Sequence, residues 1–187
     1  KPYDFIIIGS GIIGLSMAQV LKRKNEKSRI LLIDKEEDIA YHASGRNSGV
    51  LHAGFYYTAD SLKAKFTVAG NKAMKLYCRS KGLPINECGK LVVAQNEHEM
   101  EQLYELERRG KRNGANVTII DENQAAELEP NVRTYKKALH SPDTATVDPK
   151  EVCRAIKIDL EKCGVDFSFV TKYLGQRDGV IQTTKGD

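Results

Sequence analysis

A continuous apolar run, Phe5–Ile8, leads at once into Gly9-Ser10-Gly11-Ile12-Ile13-Gly14, and nothing else in the 187 residues narrows the possible folds as much. Apolar residues without alternation mark a strand buried on both faces. Between strand and helix, G-x-G-x-x-G makes a separate demand at each glycine. Gly9 permits the tight turn, Gly11 lets backbone approach a pyrophosphate, and Gly14 lets the helix pack on the strand. The helix, Ile12–Lys24, turns Leu15, Ala18 and Leu21 inward and sets Lys22, Arg23 and Lys24 at its negative end. Its N-terminal amides, from Ile12 and Ile13 onward, offer donors to phosphate oxygens. A second buried strand, Ile30–Ile33, ends in Asp34, twenty residues after Gly14. A carboxylate there accepts bonds from ribose hydroxyls. Three glycines alone would only turn the chain; with strand, helix, second strand and terminal acid they specify an adenine-dinucleotide site.

Several classes drop out on composition. With 41% hydrophobic and 29% charged residues the chain is ordinary globular material, neither disordered nor collagen-like. A net charge of +4 suits an anionic ligand but is not the concentrated basic footprint of a nucleic-acid binder. The cluster Arg108, Arg109, Lys111 and Arg112 ends a Glu-rich helix, with Glu105–Arg109 and Glu107–Lys111 at i,i+4, and reads as a solvated helix end. Cys78, Cys88, Cys153 and Cys163 form no C-x-x-C pair, and His42, His98 and His140 have no ligand spacing, so no metal is expected. Free thiols fit a reducing cytoplasm. The uncharged stretch 5–21 carries three glycines and is short for a membrane span.

Beyond Asp34, a Gly/Ser/His-rich loop covers 42–54 with little periodicity. Ser61 caps a helix whose apolar residues Leu62, Phe66, Ala69, Ala73 and Leu76 recur at 4-3-4-3 spacing and predict its buried face, with Gly82 as the stop. A strand at 90–94, a charged helix Glu97–Arg112, a strand at 117–120 and a short helix at 121–128 follow. Asp148-Pro149-Lys150-Glu151 starts another helix with N-cap, Pro at the first position and a capping-box Glu. The tail reads as a hairpin of 165–174 and 180–184 turned at Asp178-Gly179.

The loop decides between nicotinamide and flavin. A nicotinamide domain continues into another helix and strand, whereas 41–57 supplies small residues and amide donors. Here the chain resembles the FAD-dependent D-amino-acid-oxidase superfamily, and within it the L-2-hydroxyglutarate dehydrogenase/oxidase branch. The words NSGVLHAGFYY (47–57), SLKAK (61–65), YC…KGLP…CGKLVVA (77–94) and P-x-T-x-x-V-D (142–148) occur in order through nearly the whole chain. Two departures are Ala43-Ser44-Gly45-Arg46 where the branch favours Gln-Thr-Gly-His, and Thr144-Ala145 where it favours Thr-Gly.

The resemblance implies an α/β fold: a Rossmann-like FAD-binding domain with an inserted α+β substrate domain. It assigns 1–82 and 141–187 to the flavin domain and 83–140 to the substrate domain, with the chain stopping as a return stretch begins. The cofactor is FAD. Its expected contacts are Gly9, Ser10, Gly11, Ile12, Ile13, Gly14, Asp34, Lys35, Ser44, Gly45, Arg46, Asn47, Ser48, Gly49 and Val50, with Thr171 on the adenine-clamping segment 170–174. His52 is the candidate base, and His52, Tyr56 and Tyr57 the substrate contacts. Arg46 can bind a substrate carboxylate or cover the pyrophosphate, and Lys63 stays in view through SLKAK.

The implied reaction oxidises a small 2-hydroxy acid, L-2-hydroxyglutarate first, by hydride transfer to flavin, with oxygen or a membrane quinone pool as acceptor. A related FAD enzyme for glycerol 3-phosphate or an amino acid is the alternative. A non-catalytic dinucleotide-binding subunit and an NAD-dependent dehydrogenase are the others. Expected partners are the acid and the acceptor, without nucleic acid, and homo-oligomers or a missing C-terminal part. The expected location is cytoplasmic, with peripheral membrane contact as a variant.

Overall fold

A computed structural model describes residues 2–186. Along the chain run β1 (Phe5–Ile8), α1 (Ile12–Lys24), β2 (Ile30–Ile33), β3 (Val50–Leu51), α2 (Leu62–Lys81), β4 (Ile85–Asn86), β5 (Lys90–Val93) and α3 (Glu97–Arg112). They continue as β6 (Thr118–Asp121), α4 (Glu122–Leu128), β7 (Lys137–Ser141), β8 (Ala145–Val147), α5 (Pro149–Lys162), β9 (Val165–Ser168), β10 (Tyr173–Arg177) and β11 (Val180–Thr183).

These elements form two compact units: one from the chain ends, up to Ser48 and from Asp148 on, the other Gly49–Val147. The sequence reading drew its divisions at 82/83 and 140/141. The compact units themselves divide at 48/49 and 147/148, and β8 pairs with both β3 and β4 within the middle unit. A two-residue strand has no local signal strong enough to announce that.

In the first unit a parallel sheet runs in the order β1-β2-β9, with α1 packed on α5. Its interior is Leu15, Ala18, Ile30, Leu32, Ile33, Val152, Cys153, Ile156, Leu160 and Val165. Asp148 caps α5, accepting from the Lys150 and Glu151 amides, with Pro149 at the first position. The expected tail hairpin is corrected in part. Residues 165–168 form β9, parallel to β2, while the hairpin is β10-β11 around Asp178-Gly179. Val165-Asp166-Phe167-Ser168 alternates apolar and polar residues and fits either partner by pattern; α5 leads directly into β9, which pairs parallel to β2. Among the described residues β1 pairs with β2 on one side only, and Phe5, Ile6 and Ile8 are exposed rather than buried.

In the second unit β5 and β6 flank β7 antiparallel, over a core of Ala53, Phe55, Ala94, Met100, Leu103, Ala115, Val117 and Leu139. The register of α2 differs from its apolar pattern. Its buried residues are Ala64, Asn71, Lys75 and Cys78, whereas Leu62, Phe66 and Leu76 are exposed. The inward polar groups are satisfied: Asn71 Nδ2 donates to the Leu51 and Asp143 carbonyls, and Lys75 pairs with Glu87 at 3.1 Å. Asn71 thus links α2 to two carbonyls distant in sequence, on the face opposite the apolar stripe.

Two substitutions separate these faces. Phe66→Ser should change unfolding free energy by less than about 0.5 kcal/mol, as for an exposed site. Leu103→Ala, in the core, should cost about 2–5 kcal/mol. Urea denaturation followed by circular dichroism reads both, and a large loss for Phe66→Ser would contradict the exposed register.

Candidate functional site

The site begins at the glycine turn. Gly9 takes φ +100°, a left-handed value that favours glycine, and its N–H donates to the Ile33 carbonyl at 2.8 Å. A Cβ on Gly14 would lie 2.0 Å from the Gly9 carbonyl oxygen, so α1 meets the turn at a distance only glycine allows. Gly11 is the N-cap of α1 and has no side chain to cap with; Ser44 Oγ accepts the Ile12 N–H instead, at 3.0 Å. A Cβ on Gly11 would stand 2.9 Å from that oxygen.

Asp34 does more than wait for a ribose. Its Oδ2 accepts the Ser10 N–H at 2.7 Å and the Ser10 hydroxyl at 2.6 Å, and Oδ1 accepts the Glu36 N–H at 3.1 Å. Burial alone would raise its pKa; the Ser10 and Glu36 bonds outweigh it and hold the carboxyl below its ordinary 3.8. An ionised carboxylate offers about four lone-pair sites, so one remains for a ligand hydroxyl.

The segments around this knot enclose a groove of about 500 Å³ lined by Gly9, Gly11, Asp34, Lys35, Ser44 and Thr171 among others. All six were expected from sequence. Also on its wall are Tyr41, His42, Lys172 and Tyr173, which lie in the segments 41–57 and 170–174 but were not among the expected contacts. Thr171 is buried, its N–H donating to the Asp34 carbonyl at 2.7 Å and its hydroxyl to the Phe169 carbonyl at 2.9 Å. Beside it Val170 holds φ +51°, strained for a β-branched residue and kept by its N–H bond to the Glu36 carbonyl.

The remaining expected contacts are placed as follows. Ser10 is fully buried behind the turn, while Ile13 is exposed. A Cβ on Gly45 would lie 2.2 Å from the Ala40 carbonyl oxygen, fixing a tight loop. The Arg46 guanidinium lies over the Tyr41 ring at 4.9 Å, and Asn47 Nδ2 donates to the Ala43 and Ser44 carbonyls. Ser48 is exposed at the end of this unit's loop. Gly49 and Val50 belong to the other unit, where Val50 pairs with Thr146.

The other unit carries His52, Tyr56 and Tyr57. The rings of His52 and Tyr56 are nearly perpendicular, centroids 6.2 Å apart, and Tyr56 leans on buried Phe55 at 4.2 Å. Burial lowers the His52 pKa below its ordinary 6.5, and the nearby Lys90 charge lowers it further. Lys90 Nζ lies over the Tyr56 ring at 4.8 Å. Sequence reasoning saw Lys90 only as the start of a strand; its nearness to His52 depends on folding 38 positions of chain together and leaves no local signal. Lys63 Nζ covers the Tyr57 ring at 4.5 Å.

Other chemistry is quiet. Burial pushes the Cys153 thiol up to about 11, far from a reactive thiolate. Arg108 and Arg109 pair with Glu105, Lys111 with Glu107, and Arg112 with Asp60. Among the described residues no group of three or more His, Cys, Asp and Glu could hold a metal ion, and no helix is long and apolar enough to cross a membrane.

Comparison with known proteins agrees with this geometry. The family model described as FAD dependent oxidoreductase, DAO, matches residues 4–187. A mitochondrial L-2-hydroxyglutarate dehydrogenase of Dictyostelium discoideum is 40% identical over 170 residues, covering 89% of this chain and 38% of the relative. The L-2-hydroxyglutarate dehydrogenase of Escherichia coli K12 is 37% identical over 186 residues, covering 98% and 44%. The chain thus spans about two fifths of the length of these curated relatives. Among solved structures, FAD-bound L-alpha-glycerophosphate oxidase from Mycoplasma pneumoniae superposes with TM-score 0.87 at 28% identity, over 98% of this chain and 50% of that one. Glycine oxidase from Geobacillus kaustophilus shares the fold, TM-score 0.85 at 22% identity, covering 98% and 52%.

Two variants test the turn. Gly14→Ala should destabilise by roughly 1–3 kcal/mol, because the new methyl and the Gly9 carbonyl cannot share the space. Asp34→Asn should cost about 1 kcal/mol at neutral pH by weakening charge-assisted bonds. The Asp34 pKa is depressed on folding, so its stabilisation is present above the ordinary 3.8 and fades as pH falls through the folded value. Urea midpoints between pH 7 and pH 3 should therefore fall less steeply at the acid end in Asp34→Asn than in the parent.

Proposed function

The chain belongs to the DAO family of FAD-dependent oxidoreductases, and from that premise we propose that it serves the oxidation of L-2-hydroxyglutarate to the 2-oxo acid. The observation that carries this reading is the likeness to L-2-hydroxyglutarate dehydrogenases through nearly the whole chain. We assign FAD to the groove of the first unit, and substrate contacts to the unit Gly49–Val147.

The residues present fit the cofactor. Gly9, Gly11 and Gly14 form a cradle that side chains would fill, and Asp34 keeps a free acceptor direction for a ribose hydroxyl. Ser44 and the α1 N-terminus stand where a pyrophosphate needs donors, and Lys35 and Lys172 bring positive charge to the groove. Bound FAD supplies a two-electron acceptor for the hydrogen on the substrate carbon.

The protein's own part is proton and charge management. An imidazole nitrogen of His52 accepts the substrate hydroxyl proton, which requires the neutral ring. Burial and the Lys90 charge both favour that form. Tyr56 and Tyr57 line the approach, each with a lysine over its ring. The onward electron acceptor is oxygen or a membrane quinone.

Anaerobic titration of the flavin-loaded protein tests the reading. L-2-Hydroxyglutarate should bleach the flavin absorbance, while glycerol 3-phosphate and glycine should not. Bleaching by either of those instead would move the substrate and leave the family. Gly11→Val should abolish flavin retention on gel filtration, since its side chain invades both the Ser44 contact and the pyrophosphate space. A variant that kept its flavin would refute the assigned register.

A further inference from the structure

Lys90 carries an ammonium that meets no carboxylate among the described residues. It begins β5, opposite Ser141 of β7, and is half-buried. Among the described residues it forms no salt bridge. The other charged groups at Tyr56 are Glu105 and Arg109, which with Gln102 and Leu106 line a hollow of about 440 Å³ beside that ring. Glu105 is already committed, to Arg109 at 2.7 Å and Arg108 at 2.6 Å. The Tyr56 face gives Lys90 only a cation–π contact, weaker than a charge-assisted bond to a carboxylate. This part of the unit therefore carries an unanswered positive charge, next to the aromatic ring that also meets His52.

We propose that Lys90 is a specificity residue that binds a carboxylate of the substrate, so that the site selects 2-hydroxy acids carrying a second carboxylate over monocarboxylic ones. This rests on the reading of His52 and Tyr56 as substrate contacts. His52 must meet the hydroxyl on the reacting carbon, and the first carboxylate is attached to that carbon. Lys90 Nζ lies 4.8 Å from the Tyr56 ring centroid and the His52 ring centroid 6.2 Å from it, so both groups stand beside one aromatic side chain, where a second carboxylate of the same acid can meet Lys90. The two roles are coupled. A carboxylate on Lys90 cancels the field that disfavours protonation of His52, so the base becomes stronger when the correct acid is bound.

The test follows the histidine imidazoles by NMR in FAD-loaded protein, with His52 assigned from the spectrum of His52→Gln. The probes are glutarate, which has two carboxylates and no hydroxyl to oxidise, and pentanoate, which has one carboxylate. In the parent, glutarate should raise the His52 pKa. Lys90→Gln should raise it without ligand, and should weaken glutarate about tenfold, as for loss of one charge-assisted bond at a part-exposed site. Pentanoate affinity should be the same in both proteins. Lys90→Arg should keep glutarate binding close to the parent, which separates lost charge from lost packing. Failure of glutarate to move His52 in the parent overturns the proposal, as does equal glutarate affinity in parent and Lys90→Gln. If glutarate still needs Lys90 while L-2-hydroxyglutarate leaves the flavin oxidised, the carboxylate site stands and the assigned reaction falls.

Discussion

Asp34 ties together three stretches of chain, around Ser10, around Asp34 itself and at 168–171, through its carboxylate and its backbone. Through Oδ2 it takes both donors of Ser10 and so fixes the glycine turn; through Oδ1 it takes the Glu36 amide beyond β2. Its backbone completes the knot, with the Asp34 N–H on the Ser168 carbonyl and the Asp34 carbonyl receiving the Thr171 N–H. Charge-assisted bonds of this kind are worth about 1.5–3 kcal/mol each when partly shielded from water. The groove is a consequence of the knot, because its walls are the segments that the carboxylate and its neighbours hold. A side chain that sequence reasoning assigns to ligand recognition is equally a structural keystone, and its depressed pKa is the signature of that second role.

Much of the fold was legible because the signals are local. α1, the 97–112 helix and the two strands flanking the glycine motif follow from apolar runs and periodicity, and Ser61 and Asp148 mark helix starts with caps the structure displays. What was not legible depends on distant partners. β3, β4 and β8 exist through one another, in strands of two or three residues. The apolar run 5–8 is a parallel strand as expected, and among the described residues its one strand partner is β2. In α2 the stripe from Leu62 to Leu76 gave a clear period and the wrong face. Periodicity reports that a face differs from its opposite; the inward side of α2 carries Asn71 and Lys75, bonded to Leu51, Asp143 and Glu87.

The site divides along similar lines. Gly9, Gly11, Gly14 and Asp34 were readable because backbone recognition of a pyrophosphate dictates residue type at fixed spacing. Ser44 was expected near the cofactor, but its bond to the Ile12 amide requires the loop to return to the start of α1. Val170 left no trace in sequence, since a left-handed φ at a β-branched residue is imposed by flanking bonds and runs against its preference. Lys90 was invisible as a functional residue for a simpler reason: its meaning comes from what it faces.

This asymmetry explains how one scaffold accommodates different substrates. A glycerophosphate oxidase and a glycine oxidase match nearly all of this chain in fold at 28% and 22% identity. The grip on a dinucleotide relies on glycines, amides and one carboxylate, so most other side chains can drift without moving it. Substrate choice has no such backbone code. In the proposed reading it rests on individual side chains at β-strand ends and loops of the middle unit, where a single exchange changes charge without disturbing a core. Lys90 fits that description, as the first residue of a short strand, half-buried, resting on one ring and paired with no acid among the described residues. In the proposed reaction it is the kind of position through which a shared oxidative site comes to prefer one acid over another.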